Sequence, residues 1–311
     1  MSSPKEARRV SASRLAAIDQ CSMKFYLHEI LGLPEKVWPR TSAGSASHSV
    51  LEALRRDKNR GYHDEVKKAQ TIYAVPAIER LVRAWTHKTK MPPEIVADID
   101  WMCLVGINHT NFLDEGATKR FDPEHEFRMT LANGAVIKGF IDRLAEHGET
   151  FIIHDYKTAR DKHDRDEVED SYQSLTYQLY VWKTFGKLAE VRYYFLRHPP
   201  SKRYPANHVM ITMPATPEQL AGFELYLQHM WVVINHFGLQ EANAHFCADE
   251  GFCDRVCSYR RPFRYMLVTK ADGSTEKYWI DPKKVDLPYQ VKQDEKSEIL
   301  SHPGCSRFNR Q

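Results

Sequence analysis

The sequence predicts a mixed α/β fold, a central sheet flanked by helices with a helical insertion beside it. Three observations predict it. Residues 126–157 carry strand patterning broken by two turn signals, Asn133-Gly134 and His147-Gly148-Glu149. A helix-patterned stretch over 168–185 follows, and then Val191–Leu196, rich in aromatic and β-branched residues. Hairpin strands succeeded by helix and strand point to a mixed sheet.

Taken in order, Ser11 or Ser13 is a good N-cap, and a helix runs from there through Leu15, Ile18, Phe25 and Leu27 to stop at Gly32. Pro34 and Pro39 mark a loop. Gly44-Ser45 then leads into a second helix over His48–Leu54, where His48 and Glu52, four apart, share a face. Residues 64–118 are helical in pattern, interrupted at Pro76 and Pro92-Pro93, and form the insertion. Glu126–Leu131 alternates polar and apolar residues, Asn133-Gly134 is a two-residue hairpin turn, and Val136–Leu144 answers it. Phe151-Ile152-Ile153 is a short buried-type strand that delivers Asp155 and Lys157 at its end. His208–Thr212 is a further strand. Thr216-Pro217-Glu218-Gln219 is a capping-box start with proline first, opening a helix to about Phe237. Met266–Ile280 reads as a hairpin around Asp272-Gly273, and the last thirty residues as a polar, peripheral tail.

A chain of 311 residues can bury a large core as one domain with additions or as two modest ones. Its 42% apolar and 27% charged residues are those of a soluble globular protein. The net charge of +3 provides no global field, so any basic surface is local: Lys5–Arg14, Arg55–Arg60, Lys157–Arg165 or Arg255–Arg264. No apolar run approaches the roughly 18 residues of a membrane span, and no signal-peptide core opens the chain, so a cytoplasmic placement without membrane is expected. Nor is there a Walker A sequence, which excludes an ATP-driven motor of that type.

The chemistry concentrates in Gly139-Phe140-Ile141-Asp142-Arg143 and Ile153-His154-Asp155-Tyr156-Lys157-Thr158. A mixed sheet puts Asp142 and Asp155 on neighbouring strands, where two carboxylates can share a divalent cation. The Tyr156 carbonyl can add an oxygen, and His48 an imidazole that favours Mn²⁺ beside Mg²⁺. Lys157 alternates with Asp155, so both side chains leave the strand on one face, where the ammonium can orient a water. Such a set suits metal-dependent phosphodiester hydrolysis. Asp-x-Lys by itself is a weak pattern whose ordinary meaning is an ion pair at a strand end. The apolar strand before it, the Gly-x-x-Asp on the preceding strand and the Gln173 helix after it raise it. Gln173 and Tyr177 stand one helical turn apart. Glu126 reads as a solvent-facing strand residue, and Glu52 as a supporting group on the His48 face.

In this order the motifs resemble the RecB-like branch of the PD-(D/E)XK nuclease superfamily, which includes the Cas4-type exonucleases and the nuclease domain of AddB. Ser11-Ala12-Ser13-Arg14-Leu15 with Cys21-Ser22-Met23-Lys24-Phe25 resembles its opening helix, and Gly44–Leu54 its histidine helix. Gly139–Arg143 is similar to its Gly-x-(Ile/Val)-Asp-Arg strand, Asp155-Tyr156-Lys157-Thr158 to its Asp-Tyr-Lys-Thr signature, and Gln173–Tyr177 to its Gln-x-x-x-Tyr helix. Ile141 stands where the superfamily's eponymous proline is found. The resemblance spans about residues 11–260. It implies a restriction-endonuclease-like core and His48, Asp142, Asp155 and Tyr156 as metal ligands. It also implies Lys157 as catalytic helper, and Gln173 and Tyr177 near the metal and the DNA. The expected activity is a Mg²⁺- or Mn²⁺-dependent DNA exonuclease of recombination, repair or phage DNA processing. The alternatives are a partner-dependent module serving a helicase, recombination or CRISPR-adaptation complex, and a zinc-stabilised adaptor. A nuclease domain over 11–262 and a peripheral hairpin and tail over 263–311 are expected.

Cys21 lies early in the chain, whereas Cys247, Cys253 and Cys257 cluster late as Cys-x5-Cys-x3-Cys. Four thiolates satisfy zinc or an iron–sulfur cluster, and separate buried thiols are the plain alternative. The iron-staple nucleases that the chain resembles place one cysteine before the catalytic core and three after it, which implies a [4Fe–4S] cluster on these four. Their usual Cys-x2-Cys with a longer gap is not the spacing here. His245 is an alternative ligand. Cys103 and Cys305 stand outside the group, and Cys305 would replace Cys247 only if the tail folds back.

Overall fold

The computed structural model describes residues 9–36, 38–160, 168–169, 171–247, 253, 257–284 and 286–308. Part of the predicted helix start near 168 and the basic residues at 161–165 and 255 lie outside the described residues. The chain divides into two compact units, Val37–Gln228, and Met1–Lys36 with His229–Gln311. In chain order the described helices are α1 (Ala12–Gln20), α2 (Ser22–Phe25), α3 (Pro39–Arg55), α4 (Arg60–Ala69), α5 (Pro76–Thr89), α6 (Pro93–His109), α7 (Tyr172–Phe185), α8 (Pro217–His236) and α9 (Leu239–Ala242). The strands are β1 (Lys119–Arg120), β2 (His125–Thr130), β3 (Val136–Ile141), β4 (Arg143–His147), β5 (Thr150–Lys157), β6 (Ala189–Phe195), β7 (Val209–Thr212), β8 (Phe263–Thr269), β9 (Thr275–Trp279) and β10 (Lys296–His302).

Within Val37–Gln228 a five-stranded sheet runs in the order β1-β4-β5-β6-β7. The β5–β6 pair is parallel and the others antiparallel, so the predicted mixed sheet is present. β5 is buried from Phe151 to Tyr156, as an apolar strand with neighbours on both sides should be. Helices α3 to α6 cover it with Leu51, Leu54, Val82, Ile99 and Met102, packed with Tyr156, Tyr194 and Leu196. The helical pattern of 64–118 therefore builds one layer of the core.

Two expected boundaries move, each for a local reason. Helix α3 begins at Pro39, in the first helical position, rather than at Gly44. Gly44 is an interior contact point and not a helix start. The strand expected over Val136–Leu144 breaks at Asp142: β3 pairs only with β2, while β4 joins the large sheet. Asp142 thus occupies the joint between two sheets.

In the unit formed by the chain ends, the single helix expected to reach Gly32 is interrupted at Cys21. Its backbone is extended there, and its sulfur accepts the Lys24 N–H at 3.4 Å, capping α2. The C-terminal tail forms an exposed edge strand. β10 pairs along its length with β8 in a three-stranded sheet ordered β10-β8-β9. Early and late segments are tied together by Tyr259 Oη donating to the Leu33 carbonyl at 2.8 Å, and by the Lys36 N–H donating to Ser258 Oγ at 3.0 Å. Among the described residues no helix is long and apolar enough to cross a membrane.

Candidate functional site

The β2–β3 hairpin decides which acid faces Asp142. Leu131 and Ala135 close a three-residue loop, with Gly134 at φ +85°, where glycine is unstrained. A two-residue loop at Asn133-Gly134 would have set His125 opposite Asp142. The observed register pairs His125 with Ile141 and brings Glu124 beside Asp142, and the Glu124 N–H donates to the Asp142 carbonyl at 3.1 Å. Glu124 holds φ at +52°, a conformation that costs a non-glycine residue roughly 1 kcal/mol or more. Glu126, two residues on, is exposed and pairs with Lys138 at 2.5 Å, as a solvent-facing strand position should.

His48 comes from α3. A Cβ at Gly44 would lie 2.5 Å from Thr158 Oγ1, so only glycine lets the helix seat against the end of the Asp-Tyr-Lys-Thr segment. One turn further, His48 Nδ1 stands 3.1 Å from Asp142 Oδ1 and 3.9 Å from Glu124 Oε1. Glu52 is drawn away from His48 into an ion pair with Arg56.

Asp155 and Lys157 leave β5 on the same face, with Lys157 Nζ 2.7 Å from Asp155 Oδ2. Gln173, on α7, spans them: Lys157 Nζ donates to its Oε1 at 2.6 Å, and its Nε2 donates to Asp155 Oδ1 at 2.8 Å. The same Nε2 reaches Tyr177 Oη at 2.9 Å, and Tyr177 Oη donates to the Phe140 carbonyl at 2.5 Å. Gln173 and Tyr177 therefore link the end of β5 to the strand leading into Asp142. Tyr180 is buried on the same helix, and Tyr172 stacks on Tyr226, so these aromatics pack rather than line a surface.

Behind the acids lies a buried ionic cluster that sequence reading did not single out. Arg143 donates to Asp114, to the Asn111 carbonyl at 2.9 Å and to Tyr156 Oη at 2.8 Å, and Arg55 also pairs with Asp114. His154 Nε2 lies 3.2 Å from Asp114 Oδ1. Burial, reinforced by the Arg143 charge, holds the His154 pKa well below its ordinary value and keeps the ring neutral. The arginine of Gly-x-x-Asp-Arg is thus an internal anchor, and the motif's exposed chemistry is left to Asp142.

The charges in the site are strongly coupled. Burial lowers the His48 pKa, but the Asp142 charge and the hydrogen bonds to Asp142 and Glu124 prevail and raise it well above 6.5. Burial raises Asp142, yet His48, the Tyr156 N–H and Lys157 together bring it below the usual carboxylate value. Asp155 goes the other way: burial and the neighbouring Asp142 charge outweigh Lys157.

The sequence profile of the PD-(D/E)XK nuclease superfamily matches residues 9–261. The chain belongs to the PD-(D/E)XK nuclease superfamily. No curated protein sequence matches it. Among solved structures, the crystal structure of SSO0001 is 14% identical, with 76% of this chain and 91% of that chain covered and a TM-score of 0.30, too low to support anything further.

Membership in this superfamily makes the chain a metal-dependent nuclease by class, and its residues fit a divalent cation. Ligand atoms of His48, Glu124 and Asp142 lie within 4.8 Å of one another, two carboxylates and an imidazole of the kind that Mg²⁺ or Mn²⁺ takes. Glu124 was missed because its place depends on the hairpin loop length. Next to this trio, Asp155 is engaged by Lys157 Nζ at 2.7 Å and by Gln173 Nε2 at 2.8 Å. A cleft of about 1290 Å³ opens onto His48 and Glu124, its walls carrying Arg40, Trp85, Phe140, Arg160 and Arg197. Arg197 is engaged by Asp98 at 2.7 Å.

Five thiols line one pocket: Cys21, Cys247, Cys253, Cys257 and also Cys305. The expectation that Cys305 stands outside the group is not met, because β10 carries the tail back to it. Cys103 is separate, buried in the helical core with its Sγ against the Ser47 carbonyl. The segments between Cys247, Cys253 and Cys257 lie outside the described residues. The His245 carbonyl accepts the Ser22 N–H at 3.1 Å beside the thiols.

Proposed function

We propose that this protein is a divalent-metal-dependent DNA nuclease of the RecB-like branch, cutting as an exonuclease. The observation that carries the reading is the meeting of His48, Glu124 and Asp142 beside the Asp155–Lys157–Gln173 cluster, with His48 and Glu124 lining a cleft whose walls also carry Arg40 and Arg160. In this reading His48, Glu124 and Asp142 hold Mg²⁺ or Mn²⁺, with Asp155 and the Tyr156 carbonyl completing the oxygen set. The ion supplies Lewis-acid activation of water and offsets charge on the phosphate.

The chain's own groups do the remaining work. Lys157 carries the cation that orients a nucleophilic water and offsets charge developing on the scissile phosphate. Gln173 fixes the reach of that ammonium through two hydrogen bonds, and Tyr177 fixes Gln173. Arg40 and Arg160 form no ion pair among the described residues, and their charges suit the phosphates of an entering strand. The exposed ring of Phe140, on the same wall, suits stacking with a base. The five-thiol pocket is read as an iron–sulfur site, with Lys24, Arg260 and Arg307 offsetting the thiolate charge. The nuclease domain proposed over 11–262 draws on both compact units.

The test is cleavage of end-labelled single- and double-stranded DNA by anaerobically purified protein with Mg²⁺, Mn²⁺ or chelator. Metal-dependent loss of label by wild type, absent in Lys157→Ala, is the expected result. No cleavage by a folded, metal-supplied wild type would replace this reading with that of a module that needs a helicase or recombination partner.

A further inference from the structure

The five cysteines around one pocket are one more than a four-thiolate centre needs. Cys305 follows Gly304, whose φ of +87° is open to glycine and whose missing side chain matters. A Cβ there would meet the Arg261 carbonyl oxygen at 2.6 Å. The tail is then fastened down. The Cys305 N–H donates to the Tyr259 carbonyl at 2.7 Å, Ser306 Oγ donates to Asn243 Oδ1 at 2.7 Å, and Arg307 Nη1 donates to the Cys247 carbonyl at 2.8 Å. Phe308 lies under both the Arg260 and Arg307 guanidinium groups, at 4.2 and 5.3 Å.

The Phe308 N–H donates to the Cys305 carbonyl at 3.1 Å, closing a turn that starts at the cysteine. At another cysteine of the pocket, the Lys24 N–H donates to Cys21 Sγ at 3.4 Å. An N–H group two or three residues after a cysteine stabilises a thiolate more than a thiol, and hydrogen bonds to cluster sulfurs are a principal means by which a protein tunes such a centre.

We infer that Cys305, delivered by the returning tail, is a thiolate ligand of the metal centre in this pocket. The inference rests on reading the thiols as an iron–sulfur site, and it makes the tail part of that site. The last strand then closes the centre from outside the stretch matched by the superfamily, which ends at residue 261.

The test compares anaerobically purified wild type, Cys305→Ser and Cys103→Ser for iron, sulfide and zinc per chain, with visible absorption and electron paramagnetic resonance. Loss of a direct ligand should weaken metal retention at least as much as loss of an outer partner, about 10–100-fold. The expected result is therefore metal lost, or held with a changed resonance, in Cys305→Ser and unchanged in Cys103→Ser. Wild-type metal content and spectrum in Cys305→Ser would overturn the inference while leaving the iron–sulfur reading standing. Zinc without sulfide, lost in Cys305→Ser, would support the ligand and refute iron–sulfur. A metal-free wild type would overturn both. Because the serine variant could misfold, wild type is also alkylated before and after metal removal and mapped by mass spectrometry. Cys305 should become reactive on removal while buried Cys103 stays unmodified. A Cys305 reactivity indifferent to the metal would count against it.

Discussion

The main-chain N–H of Tyr156 donates to Asp142 Oδ2 at 2.6 Å, so the strand that carries Asp155 and Lys157 also aims Asp142. One carboxylate oxygen is held by that amide, while the other faces His48 at 3.1 Å. Asp142 is held in orientation by these two contacts. Preorganisation of this kind removes reorganisation from the chemical step.

Lys157→Ala should lower DNA cleavage by about 10²–10³-fold or more, the usual effect of deleting one preorganised charge-stabilising donor. Gln173→Ala should have a smaller effect on turnover, because the ammonium remains but its position loosens. Single-turnover rates at saturating metal separate the two. Equal losses would place Gln173 in direct contact with the reacting groups.

Mn²⁺ should stabilise the folded protein in the absence of DNA, by about 2.7 kcal/mol at a hundredfold excess over its dissociation constant. Glu124→Gln and Asp142→Asn should each weaken that effect. The His48 pKa is raised, so the pairing of its imidazolium with Asp142 contributes stability fully present below about pH 6.5 and lost as pH rises through the raised value. A metal ligand must be neutral, so Mn²⁺ stabilisation should grow over the same rise. Thermal melts with and without Mn²⁺ across pH read both slopes, and a pH-independent metal effect would remove His48 from the ligand set.

Asp114→Asn should cost roughly 3–5 kcal/mol in denaturant unfolding, because Arg55 and Arg143 are left buried without their counter-charge. Asp114 lies outside the trio, so cleavage per folded molecule should fall less than stability does. A stability change within the error of the titration would show that water reaches the two guanidinium groups.

Gly44→Ala should lower both stability, by about 1–3 kcal/mol, and cleavage, because its new Cβ collides with Thr158 Oγ1. Thr158→Ala should relieve it, since the Thr158 Cβ would remain at 3.4 Å, an ordinary contact. The pair therefore belongs in a double-mutant cycle with strong coupling. Additive effects would mean that α3 moves as a whole.

Sequence patterning alone determined the mixed sheet, the helix that presents His48, and the spacing of Asp155, Lys157, Gln173 and Tyr177. Each depends on periodicity within one element: alternation along β5 puts Asp155 and Lys157 on one face, and one turn of α7 joins Gln173 to Tyr177. Three things were decided only by the tertiary structure. Glu124 reached Asp142 because the hairpin loop has three residues rather than two, and a one-residue slip exchanges the faces of a strand. Asp114 gathered Arg55, Arg143 and His154 from separate elements into one buried cluster. Cys305 joined four distant thiols because β10 pairs back onto β8. Local propensity acts over a few residues, whereas register, buried charge pairing and strand return are settled by contacts between segments far apart in the chain, which no local pattern encodes.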